Sequence, residues 1–244
     1  MKDDRVMSRV FVLGAALAVF LFVGAACQTA QLSELENPSA LPTPTPTPAA
    51  DDIDRKTSEP YTGDLSIFEN ADRAKKLQID RVMDILQITE GKSVADVGAG
   101  SGWFTVRAAK RAGTTGKVFA VDINQGFLDH ISERAKTEGF ANITTILAKE
   151  DDPLLPKNSV DAVLILKTYH EIAQPIRYMK NLRASLRDGA LVGIIDRNGN
   201  GEDHGLRKEV VIDEARRAGF ALKDEYDFVK PDKMDYFLVF QVRK

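Results

Sequence analysis

The sequence has very few of the residues that build disulfide-linked and metal-cluster proteins. It contains one cysteine, Cys27, and three histidines among 244 residues. A single cysteine excludes an intramolecular disulfide and any cysteine-based zinc cluster. Because the histidines and acidic residues show no ligand spacing along the chain, the sequence predicts no metal site.

An excess of basic charge is also absent. Lysine and arginine total 33 against 36 aspartates and glutamates, which gives a formal net charge of -3. Nucleic-acid partners call for a basic field, so we expect none here. The length and the hydrophobic content of 43% are sufficient for one α/β domain with a full core, plus appendages.

The N-terminal segment, residues 1–27, has the pattern of a signal peptide or membrane anchor. Lys2, Arg5 and Arg9 precede an unbroken apolar run over residues 10–26, which closes in small residues at GAAC. The arrangement resembles a bacterial lipoprotein signal, which implies lipidation of Cys27. With basic residues before the run and acidic residues after it, we expect a membrane-associated protein whose remainder lies on the exported side.

Residues 28–62 lack apolar periodicity and include the repeat LPTPTPTP. Proline at every second position fixes the backbone in an extended conformation and removes amide donors. The sequence predicts a disordered, stiff tether that separates the anchor from a folded domain over residues 63–244. A ligand for a proline-binding module is the less favoured alternative.

The folded domain alternates strand-like and helix-like segments. One or two amphipathic helices are predicted up to Leu86. Such alternation is typical of βαβ units with a parallel sheet covered on both faces. The last two predicted strands, over residues 221–228 and 236–243, are joined by a short KPDK turn and form an antiparallel hairpin.

Residues 94–107, VADVGAGSGWFTVR, join a short apolar run to a helical segment through a turn with glycine at alternate positions. Glycine allows a tight turn and a close approach to a ligand, and the following helix start leaves amide donors free for a polar group. The sequence therefore predicts a cofactor site at this turn. Its predicted residues are Asp96, Gly98, Ala99, Gly100 and Gly102.

A nicotinamide dinucleotide fits this turn poorly. Its fingerprint needs a third glycine where this chain has Trp103, and Asp96 would repel a pyrophosphate. Asp122, at the end of the second predicted strand, is suited to accept hydrogen bonds from both hydroxyls of a ribose. The pattern favours a nucleoside joined to a cationic, amino-acid-like group, which S-adenosylmethionine fits.

Asp96-x-Gly98-x-Gly100-x-Gly102, then Asp122, the segment LPKNSVDAVLI and the C-terminal hairpin resemble the class I S-adenosylmethionine-dependent methyltransferases. The resemblance implies a three-layer, Rossmann-like α/β fold whose seven-stranded sheet has the order 3-2-1-4-5-7-6, with strand 7 antiparallel. It also implies that Asp96 and the turn amides face the methionine part of the cofactor, that Asp122 holds the ribose, and that Ile123 packs on the adenine.

The resemblance weakens after the third predicted strand, in AKEDDP. Lys149 and Glu150 occupy the positions at which methyltransferases of this class often place an acid and a small residue against the adenine amino group. We expect Asp151, or alternatively Asp152, to make that contact. A solvated charged loop is the competing interpretation.

By the same resemblance, the loop after the fourth strand lies beside the transferred methyl group, and in LILKTYHEI it presents Thr168, Tyr169 and His170. We expect Thr168 to contact the cofactor, His170 to act as a general base, and Tyr169 to cover the cofactor or orient the substrate. A capping or packing role is the alternative for His170. His130 and His204 are expected at the surface.

Three functions remain in competition. The favoured hypothesis is a methyltransferase that acts on a small-molecule or lipid-like acceptor. The alternative is a membrane-tethered binding module that retains the fold but transfers nothing, and the predicted export supports it because S-adenosylmethionine is a cytosolic metabolite. A nicotinamide oxidoreductase is disfavoured by Trp103 and Asp96.

Overall fold

The computed structural model describes residues 53–59, 61, 63–200 and 204–243. The predicted anchor, Cys27 and the proline repeat lie outside these residues. The described residues belong to one compact unit. Among them, no helix has the length and apolar character needed to cross a membrane.

Seven strands and six helices alternate along the described chain, with two additional 3-10 turns at Leu65–Phe68 and Tyr169–Glu171. The strands are β1 (Ser93–Val97), β2 (Lys117–Asp122), β3 (Ile143–Leu147), β4 (Val160–Leu166), β5 (Leu186–Arg197), β6 (Phe220–Tyr226) and β7 (Asp235–Val242). The helices are α1 (Arg73–Leu77), α2 (Ile79–Ile85), α3 (Trp103–Ala112), α4 (Gln125–Glu138), α5 (Pro175–Ser185) and α6 (Lys208–Arg217).

The strands form one sheet in the order β3-β2-β1-β4-β5-β7-β6. The first five strands in this order pair in parallel, whereas β7 pairs antiparallel with both β5 and β6. No helix separates β6 from β7, so the chain returns through a short turn and the direction reverses. The predicted fold class, strand order and antiparallel β7 are confirmed.

Both faces of the sheet are covered, because side chains alternate along each central strand. In β4, Val163 and Ile165 join the core with α5 and α6, while Leu164 and Leu166 join the core with α2 and α3. β1 is buried at all five positions, as expected for a central parallel strand. This arrangement leaves the carboxyl ends of the strands as the place where loops can form a site.

Residues 53–59 pack on the domain although they fall inside the predicted tether. The Arg55 amide donates to the Ala173 carbonyl oxygen at 2.8 Å, and the Arg55 guanidinium donates to both carboxylate oxygens of Glu214 at 2.6 and 2.7 Å. The packed unit therefore extends N-terminally of residue 63. No sequence pattern predicts this packing, because a single arginine in a polar segment has no periodicity to reveal its partner.

Candidate cofactor and acceptor site

A pocket of about 830 Å³ opens at the carboxyl ends of β1, β2 and β4. The strand order reverses here, because β1 has β2 on one side and β4 on the other. Loops diverge at such a point and leave a crevice, which is where open α/β sheets bind ligands. The volume lies in the range of small-molecule sites.

The glycine turn forms the floor of the pocket, and its three glycines have positive φ angles of 72°, 54° and 77°. A Cβ at Gly98 would collide with the Thr168 side chain, and one at Gly102 would lie 2.9 Å from Ile131. A Cβ at Gly100 would meet no atom within 4 Å. Gly98 and Gly102 are therefore needed for packing, whereas Gly100 faces the open pocket.

Asp122 lies against this turn and lines the pocket. Its Oδ2 accepts from the Gly100 amide and its Oδ1 from the Asn124 amide, both at 2.9 Å. Burial raises the pKa of the Asp122 carboxyl, while the amides of Gly100 and Asn124 oppose that rise. Each carboxylate oxygen has further accepting capacity, so the fixed carboxylate is able to receive two adjacent hydroxyls.

Ile123 follows directly and also lines the pocket, with 50% of its surface exposed. An exposed apolar side chain beside a hydroxyl-binding carboxylate suits a flat ring. Lys149 and Glu150 lie in the same wall of the pocket. Asp151, which the sequence predicts to contact the adenine, does not line the pocket among the residues that the structure describes. Its carboxylate lies 3.7 Å from the Arg177 guanidinium.

Asp96 lies beneath the pocket and is not in its wall. The residue is 3% exposed, and its Oδ2 accepts from the Thr105 hydroxyl at 2.6 Å. Burial raises the pKa of Asp96 to about 7, although Thr105 and Arg73 counteract the shift. Arg73 does line the pocket, and its guanidinium lies 4.5 Å from the Trp103 ring centre. Arg73 is thus a cation of the pocket wall that the glycine motif did not reveal.

His170 and Tyr169 are adjacent in sequence but have different surroundings. His170 lines the pocket, and its Nδ1 lies 2.9 Å from both carboxylate oxygens of the fully buried Asp196. Asp196 Oδ2 also accepts from the His170 amide at 3.0 Å. The Tyr169 side chain is fully buried, outside the pocket wall, where burial raises the pKa of its hydroxyl. The geometry gives Tyr169 no contact with a ligand in this pocket, so the predicted role over the cofactor is not supported.

Two further polar residues lie next to His170. Glu171 Oε1 is 3.4 Å from His170 Nε2 and 3.5 Å from His204 Nδ1. The Ser58 amide and hydroxyl donate to Glu171 at 2.7 and 2.8 Å. Two of the three histidines, which are far apart in the sequence, are therefore brought together with an acid.

The segment before α1 contributes an apolar wall to the pocket. Tyr61 and Phe68 pack edge to face with ring centres 5.6 Å apart, and Ile67 is 58% exposed. This segment is tied to the glycine turn because the Ser101 hydroxyl donates to Glu69 at 2.7 Å. The pocket thus has polar groups at the glycine turn and apolar side chains from the segment before α1.

Sequence reasoning missed Arg73, Asp196 and Ser58. Asp196 is the last acid of a buried strand, which is a recognisable signal because the carboxyl ends of parallel strands share one edge. Arg73 and Ser58 lie in segments without a motif. Only the folded chain brings them to the pocket.

The pattern of a methyltransferase domain family matches residues 94–189. Aklanonic acid methyltransferase DauC of Streptomyces sp. (strain C5) is 30% identical over 95 residues, covering 39% of this chain and 42% of that protein. The 2-phytyl-1,4-naphtoquinone methyltransferase of Trichormus variabilis is 27% identical over 148 residues, covering 58% of this chain and 64% of that protein. The chain thus spans 42% and 64% of the length of these two curated relatives, less than two thirds in each case.

Among solved structures, a SAM-dependent methyltransferase from Aquifex aeolicus superimposes with a TM-score of 0.66 at 22% identity. The superposition covers 74% of this chain and 100% of the other. The fold described here is therefore that of the class I S-adenosylmethionine-dependent methyltransferases, and residues 94–189 are similar in sequence to a methyltransferase domain.

Proposed function

We propose that this protein is an S-adenosylmethionine-dependent methyltransferase that acts on a small-molecule acceptor. The observation that carries the proposal is the Asp122 carboxylate, which the amides of Gly100 and Asn124 hold at the pocket beside the exposed Ile123. This arrangement suits a ribose and its adenine. Gly100 leaves space above the turn for the methionine part, and Arg73 provides a cation for its carboxylate.

Methyl transfer is an in-line displacement. The bond between sulfur and the methyl carbon breaks, the electron pair returns to sulfur, and S-adenosylhomocysteine leaves as a neutral thioether. A new bond joins the methyl carbon to the acceptor, and an acceptor proton departs where one is present. The protein mainly holds the two partners in line and excludes water. Thr168 and His170 line the pocket in which the partners would meet.

The proposed acceptor is an apolar, ring-containing or lipid-like small molecule. Tyr61, Ile67 and Phe68 form an apolar wall within the same pocket. The relatives named above carry the names of aklanonic acid and naphthoquinone methyltransferases, which supports an acceptor of similar character. The net charge of -3 gives no support for a nucleic-acid substrate.

Calorimetric titration with S-adenosylmethionine tests the proposal. The wild-type protein should bind the cofactor, and Asp122→Ala should weaken binding at least ~30-fold, because two hydrogen bonds to a charged group are lost together. Asp188→Ala, at an exposed position on β5, is the matched control and should bind as the wild type does. No heat with wild-type protein at millimolar cofactor would refute the proposal.

Turnover distinguishes an enzyme from a binding module. His170→Ala should keep its affinity for the cofactor and lose S-adenosylhomocysteine formation with quinol or phenol acceptors. A wild-type protein that binds S-adenosylmethionine tightly and forms no S-adenosylhomocysteine with any such acceptor would instead favour the non-catalytic module.

We also propose that the protein is anchored to a membrane through its N-terminal segment, with Cys27 lipidated and the domain on the exported side. The basic residues before the apolar run and the acidic residues after it support this orientation. Protease added to intact cells should cleave the domain, and mass analysis should find a lipid on Cys27. A domain that is protected until cells are lysed would place it on the cytoplasmic side.

A further inference from the structure

A cluster of two histidines and one glutamate lines the pocket. The ligand atoms that His170, Glu171 and His204 offer all lie within 4.8 Å of one another. The three residues line the same pocket as Asp122 and the glycine turn. They come from two different loops, one after β4 and one after β5.

His170 is held in a fixed orientation by the buried Asp196. Both Asp196 carboxylate oxygens lie 2.9 Å from His170 Nδ1, which leaves Nε2 directed at Glu171. A carboxylate on one ring nitrogen is the usual partner of a histidine whose other nitrogen binds a metal, because it fixes the tautomer and raises the basicity of the ligand.

Glu171 is also held from behind. The Ser58 amide donates to Oε2 and the Ser58 hydroxyl to Oε1. Oε1 lies between the two histidines, at 3.4 Å from one ring nitrogen and 3.5 Å from the other. These distances exceed the ~2.9 Å typical of a hydrogen bond between nitrogen and oxygen.

We propose that His170, Glu171 and His204 bind a divalent transition-metal ion, with Zn²⁺ the best match. Ligands about 2.1 Å from a tetrahedral zinc are separated by about 3.4 Å, which is the spacing of Oε1 from each histidine. Two imidazoles and one carboxylate are a donor set that zinc accepts, and three protein ligands leave a fourth position open. Because all three residues line the pocket, an ion that they hold would be accessible from it.

The open position gives the ion a role in acceptor binding. An acceptor hydroxyl or phenol oxygen is able to coordinate the ion, which orients the oxygen and lowers its pKa. In this arrangement His170 holds the ion, in place of the proton-accepting role predicted from the sequence. The role in acceptor activation rests on the proposed methyl transfer, whereas ion binding does not.

The test uses the full-length chain in detergent, stripped of metal with a chelator and titrated with Co²⁺ and Zn²⁺. A Cys27→Ser background excludes any contribution of the one cysteine in the sequence to the binding of either ion. We expect one tight site with the visible absorption of tetrahedral Co²⁺. His204→Ala, Glu171→Gln and His170→Ala should each weaken Zn²⁺ at least ~30-fold, and Asp196→Asn ~10-fold or more.

His130→Ala on α4 is the matched control, because it removes an exposed histidine outside the cluster, and its affinity should equal that of the parent. His204 is 74% exposed, so His204→Ala should fold even if the variants at buried positions do not. Equal Zn²⁺ affinity in His204→Ala and the parent would overturn the proposal, as would the absence of a tight site in the parent. Titration with S-adenosylmethionine distinguishes failure of the metal site from failure of the proposed function. A protein that binds Zn²⁺ but not S-adenosylmethionine upholds the metal site and refutes the methyltransferase. A protein that binds S-adenosylmethionine but not Zn²⁺ refutes the metal site and upholds the methyltransferase.

Discussion

At the scale of single residues, the least expected feature is the burial of Asp96 and its raised pKa. The acid is part of the glycine motif, yet it lies beneath the pocket with the Thr105 hydroxyl as its hydrogen-bond donor. Burial raises the pKa of this carboxyl to about 7, whereas an aspartate in an unfolded chain titrates near ~3.9. Its contribution to stability is therefore strongly dependent on pH.

The sign of that dependence follows from proton linkage. Between about pH 4 and pH 7 the folded state keeps a proton on Asp96 that the unfolded chain has lost. The stabilising contribution is complete below pH 4 and disappears as the pH rises through 7. A shift of this size corresponds to on the order of 4 kcal/mol.

Asp96→Asn should remove this dependence, because an amide does not ionise. We expect the Tm difference, variant minus wild type, to be several degrees larger at pH 8 than at pH 4. Thermal unfolding of the cofactor-free proteins at both pH values measures the difference. Asp188→Asn, at an exposed position, should show no such trend, and a Tm difference for Asp96→Asn that is equal at both pH values would contradict the assignment.

At the scale of elements, residues 53–59 connect α6 to the loop after β4. The Arg55 side chain is 13% exposed and that of Glu214 is 3% exposed. The Arg55 guanidinium also donates to the carbonyl oxygens of Tyr169 and Ile172, at 3.1 and 3.3 Å. This one side chain thus holds the extended segment, the β4 loop and α6 together.

Removal of Arg55 should leave Glu214 charged, buried and without this partner. We expect Arg55→Ala to lower the free energy of unfolding by roughly 3 to 5 kcal/mol, and the double variant Arg55→Ala/Glu214→Ala to lose less than the sum of the single changes. Urea unfolding measures both. The exposed pair Arg216 and Asp213 is the control, for which Arg216→Ala should cost less than about 1 kcal/mol. Strict additivity of the Arg55 and Glu214 changes would disprove the coupling.

At the scale of the whole molecule, the question is where the cooperative unit begins. The contacts of Arg55 and Ser58 place residues 53–59 within it. The Tm values of fragments 53–244 and 63–244, measured by thermal unfolding, test this placement. The longer fragment should melt several degrees higher, because it retains the ion pair with Glu214.

One substitution is expected to have opposite effects on the stability of the two fragments. Glu214→Gln should destabilise fragment 53–244, in which Arg55 is present, and stabilise fragment 63–244, in which the buried carboxylate has lost the Arg55 guanidinium. Equal effects of Glu214→Gln in both fragments would show that residues 53–59 do not belong to the cooperative unit.

The sequence by itself determined the α/β class and the C-terminal hairpin, because the signals for both are local. Apolar runs of strand length, amphipathic helices and the hairpin are readable within short windows, and the resemblance to the methyltransferases implied the order of the seven strands. The same holds for Asp122 and Gly100, whose positions relative to β1 and β2 are fixed by the number of residues in each turn.

Only the tertiary structure decided which distant groups meet. The Asp196 carboxylate reaches His170, Ser58 reaches Glu171, and His204 joins them from the loop after β5. The residues in the first two contacts are 26 and 113 positions apart in the sequence. Arg177, which lies 3.7 Å from the Asp151 carboxylate, likewise belongs to another element, and the contact of Asp151 with an adenine stays a prediction. The packing of helices and loops on the whole sheet brings such residues together, and no local periodicity in the sequence predicts these contacts.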